Sequence, residues 1–253
     1  MPTKNELKYY SSLLQKKFRT TEKKFLAEGK RLVSEALESD FKIDAVFFTN
    51  DFFNSDKTLI EKAKERKIHT EIIKPAELKR LTDTKTPQGI VAVLNMPPNK
   101  TISAAKFILA LENISDPGNL GTLFRSAGWF GISDILLSSD SAEPFNPKVV
   151  RAGMGAIFNL NISIAKDFIS ELKDFKSKGY SILTADMKGK NVFDFQNDRK
   201  IILALANEAE GPSKELLSIT DEKISIPLLG KGESLNVAVA GSIIMSVISN
   251  KLL

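Results

Sequence analysis

Cysteine is absent from this chain, and histidine occurs once, at His69. Without cysteine there are no disulfides, no thiolate metal sites and no cysteine nucleophile, as fits a reducing, cytoplasmic compartment. With one histidine a multi-histidine metal centre is excluded, and a Ser/His/Asp triad would have to use His69. No metal site is expected. No apolar run is long enough to span a membrane, and the charged N-terminus predicts no secretory signal. The GxxxxGK[ST] loop is missing, and no GxGxxG follows the first strand of either half, which argues against P-loop and dinucleotide chemistry. Gly153-Met154-Gly155 lies inside a helical pattern over about 147–156 and reads as close helix packing. Chemistry is left to Arg, Lys, Asp, Glu, Asn, Ser or a bound cofactor.

The charge that is present is unevenly placed. Residues 1–31 hold nine Lys/Arg against three Asp/Glu, residues 32–100 hold eleven of each, and residues 101–253 hold sixteen against seventeen. The net charge of +5 therefore belongs to the N-terminal arm. A basic arm on a near-neutral body suits phosphate binding, because its cations release counterions from a polyanion. A solvated, charged helix is the plainer reading.

Residues 3–18 place Leu7, Tyr10, Leu13, Leu14 and Phe18 at helical spacing and predict one amphipathic helix with lysines on its other face. A second helical pattern follows Phe25-Leu26-Ala27-Glu28-Gly29 and runs to about Glu38. Strands at Ile43–Phe48, Ile68–Ile73 and Ile90–Leu94 alternate with helices at Thr58–Arg66 and around Ala76–Leu81, a small α/β unit. Thr86-Pro87-Gln88-Gly89 leads into the last of these strands. Asn95-Met96-Pro97-Pro98-Asn99 can continue neither a helix nor a central strand and marks a boundary. The expected organisation is a basic helix over 1–20, a first domain over 21–97 and a second over 105–253.

In the second domain, strands are expected at Phe107–Leu111, Ile135–Leu137, Ile162–Ile164, Ile182–Ala185, Ile201–Leu205 and Lys223–Ile226. Helices are expected at about Asn119–Phe130, Pro147–Ala156, Phe168–Ser177 and Ser213–Ser218. The strands are continuous apolar runs, the signature of a parallel sheet covered on both faces.

Three strand-to-helix segments carry polar side chains where α/β proteins bind ligands. The first is Glu112-Asn113-Ile114-Ser115-Asp116-Pro117-Gly118-Asn119 leading to Arg125; both Asn119 and Arg125 face the sheet's mouth only if the helix begins after Asn119. The plain alternative is that Asn119 caps the helix and Arg125 makes a surface ion pair. The second runs from Ile201 to Ser213 and carries Glu208 and Glu210 in a turn of small residues, where a ligand can come close or two carboxylates simply solvate a loop. The third is Ile224 to Ile248, with a strand ended by Pro227, a loop containing Gly230 and Gly232, Ser234 where an N-cap belongs, and an apolar run from Val237. Asn236, an amide in the first turn, reads locally as part of a capping network.

Together and in this order the three segments resemble the SpoU/TrmH branch of the SPOUT-class RNA methyltransferases, over about residues 107–250. Residues 20–95, with FLAEGKRLVSEAL early and TPQGIVAV late, look like that family's small substrate-binding domain. The resemblance implies an α/β chain whose C-terminal half is a trefoil-knotted parallel-sheet methyltransferase domain behind a smaller RNA-binding domain. It implies methyl transfer from S-adenosylmethionine to a ribose 2′-hydroxyl of structured RNA, with ribosomal RNA ahead of transfer RNA. It also implies a homodimer formed through the knotted helices, which explains the apolar character of 237–248.

Family positions that bind the adenosine through the backbone map to Ala206, Ile226 and Leu235. Catalytic or substrate-orienting positions map to Asn119, Arg125, Glu208, Ser234 and Asn236. Ala206 stands where the family usually has Gly, adding a methyl group at the pocket, and Gly153 stands where Ser is common. Two other readings fit parts of the pattern: a catalytically silent RNA-binding dimer scaffold, and an α/β enzyme whose Arg125 binds a small anionic metabolite. Base-methylating chemistry that needs a cysteine is excluded.

Overall fold

A computed structural model describes residues 2–102, 105–196 and 199–252. It divides into two compact units, Met1–Pro98 with Glu143–Phe158, and Asn99–Ala142 with Asn159–Leu253. The segment 143–158, which lies within the expected second domain, thus clusters with the first unit. Among the described residues no helix is long and apolar enough to cross a membrane.

The first unit opens with two helices, α1 (Lys4–Ser12) and α2 (Lys16–Glu22), where the sequence predicts one. The hydroxyls of Ser11 and Ser12 turn back onto the carbonyls of Lys8 and Tyr9, a local alternative to continuing the helix. Beyond the break, Arg19 Nη1 donates to the Leu13 carbonyl at 2.8 Å. The kink changes which side chain faces inward: Arg19 is 2 % exposed and Phe18, an expected core residue, is 36 % exposed. Leu7 and Leu13 enter the core as expected, so the basic arm is folded into this unit.

Next come β1 (Lys24–Glu28), unanticipated as a strand, α3 (Lys30–Glu38), β2 (Ile43–Phe48), α4 (Asn50–Ser55), α5 (Lys57–Glu65) and β3 (His69–Ile72). A single turn, α6 (Pro75–Leu78), and β4 (Ile90–Asn95) complete the run. The strands form one sheet in the order β1-β4-β2-β3; β4 is antiparallel to both neighbours and β3 is parallel to β2. Ile90 to Leu94 are wholly buried because β4 is central and covered on both faces.

The second unit begins with β5 (Phe107–Glu112), α7 (Pro117–Trp129) and β6 (Asp134–Leu137). The chain then supplies α8 (Pro147–Ala152) to the first unit. The expected helix through 156 stops at Gly153, because Met154 (φ 50°) and Gly155 (φ 96°) adopt left-handed backbone. A Cβ at Gly155 would lie 2.8 Å from Glu35 Cγ, so this glycine does serve a close approach, to α3.

The remaining elements are β7 (Asn161–Ile164), α9 (Phe168–Ser177), β8 (Tyr180–Asn191), β9 (Lys200–Ala206), α10 (Lys214–Ile219), β10 (Glu222–Ser225) and α11 (Val237–Leu252). All six strands of this unit are parallel, in the order β10-β8-β9-β5-β6-β7. The α/β class with a parallel sheet is therefore as the apolar runs required. One core cluster joins β5, β8 and β9 to α9 and α10 through Ile108, Leu172, Phe175, Ile182, Ile202 and Leu216. On α11, Gly241 admits the side chains of Leu123 and Leu205, whose tips would lie within 2.7 Å of an added Cβ. β8 is far longer than the expected Ile182–Ala185, because its distal half pairs with β10 at Lys190↔Ile224 and Asn191↔Ser225.

Candidate active site

Strand order alone brings two of the three polar segments together. β5 and β9 are neighbours with Glu112 opposite Ala206, so the loops leaving their carboxyl ends emerge side by side. They also lie where consecutive strands diverge to opposite sides of β5, the place an open α/β sheet forms a crevice. Side chains then lace the loops to each other. Glu112 accepts from the backbone N–H and hydroxyl of Ser213 at 2.9 and 2.6 Å. Asn113 donates to Glu210 at 3.3 Å, and Asn207 to the Ser115 hydroxyl at 3.3 Å. Asn113 takes φ 52°, a left-handed conformation that Asn tolerates better than most residues.

The third segment joins through α11. Asn236 Nδ2 donates to Asn119 Oδ1 at 3.0 Å, and Asn119 Nδ2 donates to Glu208 Oε1 at 3.0 Å. At the other end, Asn236 Oδ1 accepts from the backbone N–H groups of Ala238 and Val239 at 3.0 and 3.3 Å. This chain of bonds has a fixed direction. A carboxylate only accepts and helix N-terminal amides only donate, so each intervening amide has one allowed orientation. Flipping either Asn would break every one of these bonds that it makes. Each amide nitrogen keeps a second N–H that these bonds do not use.

The helix starts differ from expectation. α7 begins at Pro117, not after Asn119, because Asp116 is its N-cap and accepts from Asn119 N at 2.7 Å. Asn119 nonetheless reaches the site from the first turn of the helix. α11 begins at Val237 with Asn236 supplying the cap, two residues later than a Ser234 cap would allow. Asn236 thus both caps α11 and bonds Asn119.

The structure brings together Asn119, Glu208 and Asn236 by direct bonds. Arg125 lies further along α7, exposed, its side chain with no ion pair or hydrogen bond among the described residues. Ser234 is exposed in the loop before α11 and is likewise unbonded there. Ala206 ends β9, Ile226 follows β10 directly, and Leu235 is exposed in the same loop as Ser234. No N–H between 226 and 235 makes a backbone–backbone bond among the described residues. Sequence reasoning missed Glu112–Ser213, Asn113–Glu210, Ser115–Asn207 and the Asp116 cap. Their signal was present: each is a polar side chain at the end of a buried parallel strand or in the loop that follows it.

Residues 106–246 match the SpoU rRNA Methylase family, and residues 4–92 match the MRM3-like substrate binding domain. The chain is 33% identical over 241 residues to the 23S rRNA (guanosine(2553)-2'-O)-methyltransferase RlmP of Bacillus subtilis, covering 95% of this chain and 94% of that one. It is 30% identical to a TrmH-family protein of Porphyromonas gingivalis, with a TM-score of 0.87 and 98% of each chain covered. An AdoMet-bound rRNA methyltransferase from Sinorhizobium meliloti is 25% identical, with a TM-score of 0.85, over 100% of this chain and 98% of that one.

Proposed function

Because the chain belongs to the SpoU rRNA methylase family, we propose that it transfers a methyl group from S-adenosylmethionine to a ribose 2′-hydroxyl of ribosomal RNA. The observation that carries this reading is the directional Asn236–Asn119–Glu208 chain, which ties the three polar segments into one site at the sheet's carboxyl edge. A relative that acts on 23S rRNA and aligns with nearly the whole chain supports ribosomal over transfer RNA.

The residues present fit the cofactor. Ala206 and Ile226 leave their strands on the same edge, the N–H groups of 226–235 are available to ring nitrogens, and Leu228 and Leu235 offer aliphatic walls to a flat base. When bound, the cofactor supplies the methyl group and its own leaving group. The chain's residues must then place the 2′-oxygen in line and let its proton go. Such positioning is worth on the order of 7–11 kcal/mol of a barrier.

The Arg125 side chain has no partner among the described residues, and a guanidinium is a poor base but a good two-pronged grip on the phosphate next to the target ribose. The 2′-hydroxyl proton then passes to that phosphate or to water. The spare N–H groups of Asn119 and Asn236 and the hydroxyl of Ser234 orient the ribose, and Glu208 holds Asn119 in its orientation. Arg125→Ala keeps cofactor affinity in a calorimetric titration but lowers turnover on unmodified ribosomal RNA by roughly 10²–10³-fold, the scale of losing one positioned charge-stabilising donor. Methylation at the parent's rate would remove Arg125 from the mechanism.

The trefoil knot and the homodimer belong to the same proposal. β10 pairs with the far end of β8, while Lys251, in the last turn of α11, donates to the carbonyls of Phe193 and Phe195 at 2.5 and 2.7 Å. The chain end is thereby tied to the segment that follows β8, as threading requires. Trp129 on α7 is 84 % exposed, and Val239 on the adjoining α11 is also exposed. A second copy packed there would cover both. The basic arm adds affinity through phosphates. Since Leu7 and Leu13 are core residues, its role is tested by changing charge and keeping the chain. Replacing Lys8, Lys16 and Lys17 by Gln should flatten the salt dependence of RNA binding, by about one unit of log–log slope for each phosphate no longer neutralised.

A further inference from the structure

The loop that leaves β5 turns sharply before it delivers Asn119, and the turn is held from the neighbouring strand. β6 lies beside β5 with Leu137 opposite Leu111, and Ser138 N continues the ladder to the Leu111 carbonyl at 3.0 Å. There the backbone pairing stops and two hydroxyls take over. Asn113 N donates to Ser138 Oγ at 2.8 Å, and Ile114 N donates to Ser141 Oγ at 3.0 Å. We propose that Ser138 and Ser141 are positioning residues for methyl transfer, acting through the turn at Asn113 and Ile114 to hold Asn119 against Glu208 and Asn236. The proposal rests on the reading of the chain as an RNA methyltransferase.

The two serines form a unit. A tight turn, closed by Ser141 N donating to the Ser138 carbonyl at 3.2 Å, folds Ser141 back beside Ser138. Their hydroxyl oxygens then lie 3.0 Å apart and bond each other. Asn113, at φ 52°, has left the extended path of β5, so a side-chain oxygen reaches its N–H where ladder pairing ends. Ala142 N donates to the Ile114 carbonyl at 2.8 Å, so both backbone groups of Ile114 are held by residues 141–142. Ser138 and Ser141 are 6 % and 8 % exposed and Ile114 is 1 % exposed. Water has little access there, and losing either hydroxyl strands a buried donor.

The turn feeds directly into the site. Two residues beyond Ile114, Asp116 caps α7 and accepts from Asn119 N at 2.7 Å. Asn119 is thus set from both ends, its backbone by the turn and the cap, its amide by Glu208 and Asn236 at 3.0 Å each. Neither serine hydroxyl bonds Asn119, Glu208 or Asn236 among the described residues, so the two act only through the backbone between. Ala206, Ile226 and Leu235 lie outside this turn. Releasing it should therefore cost turnover and spare cofactor affinity. A shift of about 1 Å in a reacting group costs on the order of 10²-fold in rate.

The test uses the full chain as Ser138→Ala and Ser141→Ala, with Thr184→Val as the control. Thr184, on β8 and two strands from β5, is also buried, and its hydroxyl bonds that of Thr220 at 2.7 Å. Each serine variant lowers kcat on an unmodified ribosomal RNA transcript at least tenfold, with KM and the calorimetric affinity for S-adenosylmethionine retained. In nitrogen-labelled protein the side-chain amide resonances of Asn119 and Asn236 shift. Thr184→Val lowers the thermal midpoint and moves neither kcat nor those resonances. A smaller kcat loss, a loss carried by KM or cofactor affinity instead, unmoved Asn resonances, or an equal kcat loss in Thr184→Val would each overturn the proposal. If an alanine variant does not fold, Ser141→Cys, close in size but a weak acceptor, is read by the same criteria. If the parent methylates no ribosomal RNA, the methyl-transfer reading fails, and the resonance shifts alone decide whether the two serines set Asn119.

Discussion

Asn236 donates its side-chain N–H to the side-chain oxygen of Asn119, 117 positions earlier in the chain, at 3.0 Å. Asn236 also caps α11, so this structural role must be separated from the proposed chemical one. Asn236→Asp does so, because Asp is as good an N-cap but cannot donate to Asn119. The expected outcome is an unchanged thermal midpoint with turnover lowered by about 10²-fold, the scale of a small misplacement of reacting groups. Asn119→Asp sets a carboxylate against Glu208 and should act on turnover in the same way. In a double-mutant cycle the two losses should fail to add, since either one breaks the same chain of bonds. Full additivity would show that the two amides work independently.

Gly189 marks the crossing of β8 and β10. A Cβ there would lie 2.5 Å from the backbone N and C of Ile224, and backbone cannot move aside as a side-chain tip can. Gly189→Ala should therefore destabilise the chain by about 3 kcal/mol, at the upper end of ordinary overpacking, in urea unfolding. Gly230→Ala is the control: nothing lies within 4 Å of its added carbon, and its effect should stay within about 0.5 kcal/mol. Equal midpoints for the two variants would rule out a tight crossing at Gly189.

The parallel sheet was legible because buried parallel strands are apolar throughout, as in Ile201 to Leu205, and the candidate site because its polar residues follow those strands. Less legible was anything decided by partners distant in sequence. The break between α1 and α2 rests on Arg19 reaching Leu13 and Glu143, which helical spacing over 3–18 cannot reveal. β1 was missed because FLAE is compatible with either a strand or a helix start, and pairing with β4 decides it. The end of α8 follows from left-handed backbone at Met154, a residue that carries no such signal. For Asn119, the strict geometric condition on the helix start failed, since its side chain spans the gap from within the first turn.

The Arg19–Glu143 pair fastens the segment 143–158 into the first unit. Nη2 lies 2.5 Å from Oε2, and Nε bonds both carboxylate oxygens at 3.0 and 3.1 Å. With the guanidinium buried, removing one partner strands a desolvated charge. Arg19→Met should cost about 3–5 kcal/mol in urea unfolding, whereas Arg19→Met with Glu143→Leu should recover much of that. A double variant no better than the single one would locate the cost in the orphaned Leu13 carbonyl.

Glu28 is expected to make stability fall as pH rises. Burial is the largest influence on it and pushes its pKa above the ordinary 4.5, outweighing the hydroxyl of Thr84 at 2.5 Å and the more distant charge of Arg151 at 3.9 Å. Its Oε2 is buried and accepts no hydrogen bond among the described residues, and the nearer carboxylate for Arg151 is Asp83. A carboxyl whose folded pKa is raised binds more protons when folded than when unfolded. Its contribution is therefore most favourable below about 4.5 and is lost as pH climbs through the raised folded value. Glu28→Gln keeps the acceptor for Thr84 and removes the buried charge. The variant should unfold at higher urea than the parent at pH 7–8, with the gap closing as pH approaches 4.5 from above. A gap that is constant with pH would mean that Glu28 is not the group responsible, and a parent that is the more stable at pH 8 would mean that the attraction of Arg151 outweighs burial.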